Sequence, residues 1–129
     1  MNSYSKLIYV SKDDLDELNH VNNIRYIEWI QEISREHWQN AVSKDIANSC
    51  IWVVRNHNIT YHKSAVLNDE LNIRTYVKQW HGVISTRFVE IKNNKTDVIL
   101  VTSHTEWCML DSKSFKPKRV TEEIIRQFE

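Results

Sequence analysis

The chain has 129 residues, enough for one compact domain and too few for two. Lys plus Arg equal Asp plus Glu at 17 each, which excludes a general nucleic-acid binder, since that class carries a strong basic excess. Only two cysteines occur, Cys50 and Cys108, and the first stretch of chain holds no uninterrupted apolar run. No disulfide framework, signal peptide or membrane association is therefore expected, and the cytoplasm is the expected location.

In chain order, Lys6 to Val10 is short, rich in β-formers and reads as a first strand. A polar, acidic stretch runs from Ser11 to Asn23. From Asn23 to Ala41 the spacing predicts a long helix, with Ile24, Ile27, Ile30, Ser34, Trp38 and Ala41 on one side and Arg25, Glu28, Glu32, Arg35, Glu36 and Gln39 on the other. Asn22 or Asn23 suits its N-cap, while Glu28, Glu32 and His37 suit the helix dipole. Ile51 to Tyr61 reads as a second strand. In a third, Leu71, Ile73, Thr75 and Val77 take one face and Asn72, Arg74, Tyr76 and Lys78 the other. Gly82, the only glycine, sits where a hairpin requires positive φ. Thr86 to Ile91 and Val98 to Leu110 are two further strands, split by a turn at Asn93, Asn94 and Lys95. A short C-terminal helix follows, capped by Thr121.

Consecutive strands joined by short turns are expected to pair antiparallel. The long helix is the one element large enough to cover a face of the resulting sheet. The expected fold class is α+β, a curved antiparallel sheet wrapped around one helix, with an edge strand that favours dimerisation.

The segment that carries chemistry is Asp13 to Glu28, DDLDELNHVNNIRYIE. It sets carboxylates, an imidazole and two amides just ahead of a helix start. A carboxylate or imidazole can activate water or attack a carbonyl. Free N–H groups at a helix start can hold the oxyanion that develops. The same residues also read structurally, as dipole complementarity and capping, and composition alone leaves both readings standing.

The string Leu15-Asp16-x-x-x-His20-Val21-Asn22-Asn23-x-Arg25-Tyr26-Ile27-Glu28 resembles the signature of hotdog-fold thioesterases, found in bacterial long-chain acyl-CoA thioesterases and plant acyl-carrier-protein thioesterases. Trp52-Val53-Val54, Asn58 to Tyr61, Ala65-Val66-Leu67-x-Asp69-x-Leu71 and Cys108 to Asp111 are similar to the bacterial branch of that 4-hydroxybenzoyl-CoA thioesterase-like superfamily. The resemblance implies a hotdog fold and thioester hydrolysis without a cofactor. It implies Asp16 as base or nucleophile, His20 in its support, and the backbone N–H at about Asn23 on the thioester carbonyl. The plant relatives carry an Asn two residues after the Asp where this chain has Leu18, a departure that favours the acyl-CoA branch. A proline usual after the second strand is replaced by Ser64.

Further expectations concern substrate. Tyr26 and Tyr61 are candidate substrate-binding residues. Ser85, Thr86 and Arg87 are candidates to meet coenzyme A phosphates, and Lys113, Lys116, Lys118 and Arg119 to approach the nucleotide; both groups also read as solvated polar surface. Trp52, Trp80 and Trp107 line an acyl tunnel or else fill core. His57, His62, His81 and His104 lack partners at ligand spacing, so no metal is expected. Cys108 reads as a buried strand cysteine. A hotdog dehydratase would need a Gly-Asp pair, and Val83 follows Gly82. A non-catalytic acyl-binding module keeps the fold without Asp16 and His20. The expected partners are a small acyl-CoA substrate and further copies of the chain, as a homodimer or homotetramer.

Overall fold

The computed structural model describes residues 2–129. Strand β1 (Ser3–Tyr9) leads through a short 3-10 turn to helix α1 (Asn23–Ala41) and helix α2 (Lys44–Ser49). Strands β2 (Cys50–Tyr61), β3 (Glu70–His81), β4 (Ile84–Asn93) and β5 (Ile99–Asp111) follow, then helix α3 (Glu122–Arg126). The order is the expected one, with differences of extent: β1 begins earlier, β3 runs on to His81, and β4 extends beyond Thr86 and Ile91 to Ile84 and Asn93. Helix α2 was not foreseen. At six residues it is too short to show a period, and it forms because the Ser43 side chain accepts the Ile46 N–H at 3.3 Å.

The five strands form one antiparallel sheet in the order β1-β3-β4-β5-β2. Sequential pairing holds from β3 to β5 but fails for β2, which pairs with β5 while β1 pairs with β3. The segment 62–69 is a crossover and not a turn. His62 and Lys63 N–H donate to the Leu100 carbonyl, and Asn68 N–H donates to the Val10 carbonyl on the opposite edge of the sheet. Bulges between Val54 and Asn56 and between Val77 and Gln79 bend the sheet, since each sets two residues against one. The β3–β4 hairpin turns at Gly82 with φ +62°, as its composition predicted.

Leu71, Ile73, Thr75 and Val77 are all buried, facing α1 as the alternation required. The helix face is rotated from the expected one. Tyr26, Trp29, Ile30, Ile33, Ser34, His37 and Trp38 are buried, a stripe turned by roughly 70° at 100° per residue. Ile24 is 65 % exposed. The aromatic and histidine positions, which aliphatic spacing passes over, carry the packing. Nor do Glu28 and Glu32 face the dipole: the first turn holds no acidic residue, and both approach Arg25, at 3.7 and 3.6 Å. His37 lies in the interior. Two apolar clusters result. One surrounds the first half of α1, and the other its second half together with Phe128. No helix is long and apolar enough to cross a membrane among the described residues.

Candidate active site

The loop ahead of α1 is closed by a bridge between Leu15 and Val21. Asp16 N–H donates to the His20 carbonyl at 2.8 Å, and the Asp16 carbonyl accepts from Asn19 N–H at 3.0 Å. Asn19 takes φ 60°, a left-handed conformation that asparagine tolerates. The Asp16 Oδ1 atom accepts the N–H groups of Leu18 at 2.9 Å and His20 at 3.3 Å. One carboxylate oxygen thus anchors the side chain, while Oδ2 has no partner among the described residues.

Asp14 is built for another task. It accepts Ser11 N–H at 2.8 Å and Arg25 Nε at 2.8 Å. Burial pushes its carboxyl up, but the Ser11 bonds and the Arg25 guanidinium outweigh burial and hold it below the usual range. Asp14 is thereby committed to tying the loop to the helix, and Asp16 is left free.

Helix α1 begins at the same point. Asn22 is the cap: its side chain accepts Ile24 N–H at 3.0 Å, and its carbonyl accepts Arg25 N–H at 2.8 Å. The Asn23 N–H between them has no partner among the described residues, so an unpaired donor stands at the positive end of the helix. The crossover holds this start in place, with Val21 N–H on the Ala65 carbonyl at 3.0 Å and Ala65 N–H on the Tyr26 hydroxyl at 3.0 Å. His20 is exposed; its backbone, and not its imidazole, meets Asp16. Around this point Leu18 and Ile24 are 70 % and 65 % exposed.

The candidate substrate residues are not gathered together. Tyr26 is buried in the core behind the loop, and burial raises its phenol. Tyr61 is half-open, with its ring 5.8 Å from that of Tyr26. Ser85, Thr86 and Arg87 do not form one phosphate-facing surface: strand alternation buries Ser85 and Arg87 toward α1 and turns Thr86 to the other face. Lys113, Lys116 and Arg119 are exposed, and Lys118 lies 4.0 Å from Asp111. Cys108 is only half-buried; Cys50 is the buried thiol. The four strand and turn histidines stay apart, His57 on Thr105 and His62 on Thr102 at 2.7 and 2.8 Å.

A cavity of about 330 Å³ lies along the second half of α1, walled by Trp38, Trp52, Trp80, Trp107, Phe128 and Arg87. The three tryptophans expected in an acyl tunnel all line it. Arg87 is 5 % exposed. Its Nη1 donates to His37 Nδ1 at 2.8 Å and to Thr75 Oγ1 at 3.1 Å. A guanidinium only donates, so His37 Nδ1 carries the lone pair and Nε2–H donates to Asn2 Oδ1 at 2.7 Å. Burial, reinforced by the Arg87 charge, pushes His37 down to about 4. Burial likewise pushes Arg87 down to about 9, still protonated at neutral pH. Sequence reasoning overlooked this pairing, although an arginine at an inward position of an alternating strand was a legible signal. No signal marked Asn2.

The chain matches the family described as the acyl-ACP thioesterase N-terminal domain over residues 2–128. No curated protein matches it in sequence. Among solved structures it is similar to the probable thioesterase YbaW from Escherichia coli, at 27 % identity and TM-score 0.86, covering 96 % of this chain and 97 % of that one. It is similar to a probable thioesterase from Bartonella henselae at 20 % identity and TM-score 0.79, covering 93 % and 100 %. A 4-hydroxybenzoyl-CoA thioesterase mutant complexed with 4-hydroxybenzoyl-CoA has the same fold, at 12 % identity and TM-score 0.88, covering 98 % and 99 %. With a curved antiparallel sheet around α1 and a family match along nearly its whole length, the chain belongs to the acyl-ACP thioesterase family of hotdog-fold thioester hydrolases.

Proposed function

We propose that the protein hydrolyses acyl-CoA to the free acid and coenzyme A, with Asp16 as the reacting carboxylate. The observation that carries this reading is the side chain held through Oδ1 by two backbone N–H groups, with Oδ2 left unpaired ahead of a helix whose Asn23 N–H is also unpaired. In the reaction, Asp16 takes a proton from water as it attacks the thioester carbon, the C–S bond breaks and the departing coenzyme A thiolate takes up that proton; or Asp16 attacks that carbon itself, expels the thiolate and forms an anhydride that water then opens. Asn23 N–H and the helix dipole hold the charge that develops on the carbonyl oxygen. His20 supports Asp16 through its backbone N–H.

Asp16→Asn keeps an oxygen that can accept from Leu18 and His20, so folding should survive. Thiol release from acyl-CoA should fall at least ~10²-fold. Undiminished turnover with an unchanged melting temperature would end the assignment. A second reading takes acyl carrier protein as the thiol carrier, favoured by the description of the matching family. Parallel assays with one acyl group on coenzyme A and on carrier protein separate the two.

We further propose that the active unit is a homodimer, or a dimer of dimers. Strand β2 is a sheet edge of 12 residues, and the exposed Leu18 and Ile24 lie near the half-buried Asp16.

A further inference from the structure

The buried face of the sheet is not uniformly apolar. Thr75, Ser85, Arg87, Ser103 and Thr105, with Ser34 and His37 from α1, are all buried. They form a polar band beside the cavity. Arg87 is the cation of that band, and no carboxylate lies within ion-pair distance of it among the described residues. Nor does any Asp or Glu line the cavity. Its two hydrogen-bond partners, His37 and Thr75, are neutral. A guanidinium removed from water without a counter-charge is costly unless something compensates.

What remains unpaired has a definite shape. Both hydrogens of Nη1 are used, on His37 and Thr75. Nε and Nη2 have no partner among the described residues, and together they form the side-on fork that matches the two oxygens of a carboxylate. The surroundings of this fork therefore supply donors and a positive charge but no anion. A methyl-terminated chain would leave the fork unsatisfied.

We propose that the cavity receives the acyl part of the substrate and that Arg87 selects acyl groups ending in a carboxylate, the ω-carboxyl acyl thioesters. This rests on the thioesterase reading of Asp16. The cavity, at about 330 Å³, is at the lower end of the roughly 300–1,000 Å³ range of small-ligand sites. Gln31, its first wall residue on α1, lies ~12 Å along the axis from Asn23. The recognised carboxylate is therefore remote from the thioester. The aromatic walls cover the methylene chain between the two ends.

The test compares thiol release from hexadecanoyl-CoA and from ω-carboxypentadecanoyl-CoA, which have equal acyl length and span more than the ~12 Å between Asn23 and the cavity. Wild-type protein should favour the carboxyl-terminated substrate by ~10-fold or more in kcat/KM. Arg87→Met should abolish that preference through KM, because the lost contact serves ground state and transition state alike. Arg87→Lys, which keeps the charge but not the fork, should restore only part of it. Binding is read separately by tryptophan fluorescence with octanoate and octanamide, since tryptophans wall the cavity. Octanoate should bind more tightly than octanamide, and the Arg87 variants should lose the difference. Equal or better use of hexadecanoyl-CoA by wild-type protein would overturn the proposal while leaving the thioesterase reading intact. Selective octanoate binding without turnover of any thioester would support the cavity assignment and remove the thioesterase reading. Equal affinity for octanoate and octanamide would overturn the cavity assignment whatever the activity.

Discussion

Two carboxylates two residues apart illustrate how neighbouring groups divide structural and chemical labour. Asp14 is consumed by Ser11 and Arg25, whereas Asp16 is oriented by backbone N–H groups and keeps a free oxygen. His37 shows the same logic inside the fold. Its folded pKa of about 4 lies below the ordinary 6.5, so the unfolded chain binds a proton more readily than the native one. The stability due to its neutral form is complete above ~6.5 and is lost as pH falls toward about 4, by up to ~3 kcal/mol. Melting temperature should therefore drop as pH is lowered from neutral through this window. His37→Gln should flatten that part of the profile; equal slopes for variant and wild type would contradict the assignment.

Among the elements, α1 does most to place the site. It presents Asn23 at its start, holds the crossover through the Tyr26 hydroxyl and supplies Trp38 and His37 to the interior. The start depends on Asn22, whose side chain satisfies Ile24 N–H. Asn22→Ala should lower stability by ~1 kcal/mol, and Asn22→Asp should hold it near wild type because the carboxylate still accepts and suits the dipole. Urea midpoints at neutral pH would check the pair. Strand β4 matters for a different reason. Its alternation turns Ser85 and Arg87 inward and Thr86 outward, which divides three residues that sit side by side in the chain.

For the molecule as a whole, the open feature is the edge at β2. Its outer backbone groups are unpaired in a single chain, and an edge of that length invites pairing with a like strand. Beside the site, Leu18 and Ile24 are exposed as a second chain would require. Sedimentation should find dimers or tetramers at assay concentration, and specific activity should fall on dilution below the dissociation constant of the assembly. A fully active monomer would contradict this.

Much of this was legible along the chain. The α1 boundaries, the face carrying Leu71, Ile73, Thr75 and Val77, the turn at Gly82 and the loop from Asp16 to Asn23 all follow from local rules. Capping chemistry, strand alternation and the φ demand of a tight turn act between residues a few positions apart, so one-dimensional order carries them. The β2–β5 pairing, the rotated face of α1 and the burial of Arg87 beside His37 and Thr75 do not follow in that way. They join residues distant in the chain, and each is settled by how the sheet closes over the helix: the crossover selects the edge, bulky aromatics select the buried face, and the closed interior strips Arg87 of water without giving it a counter-ion.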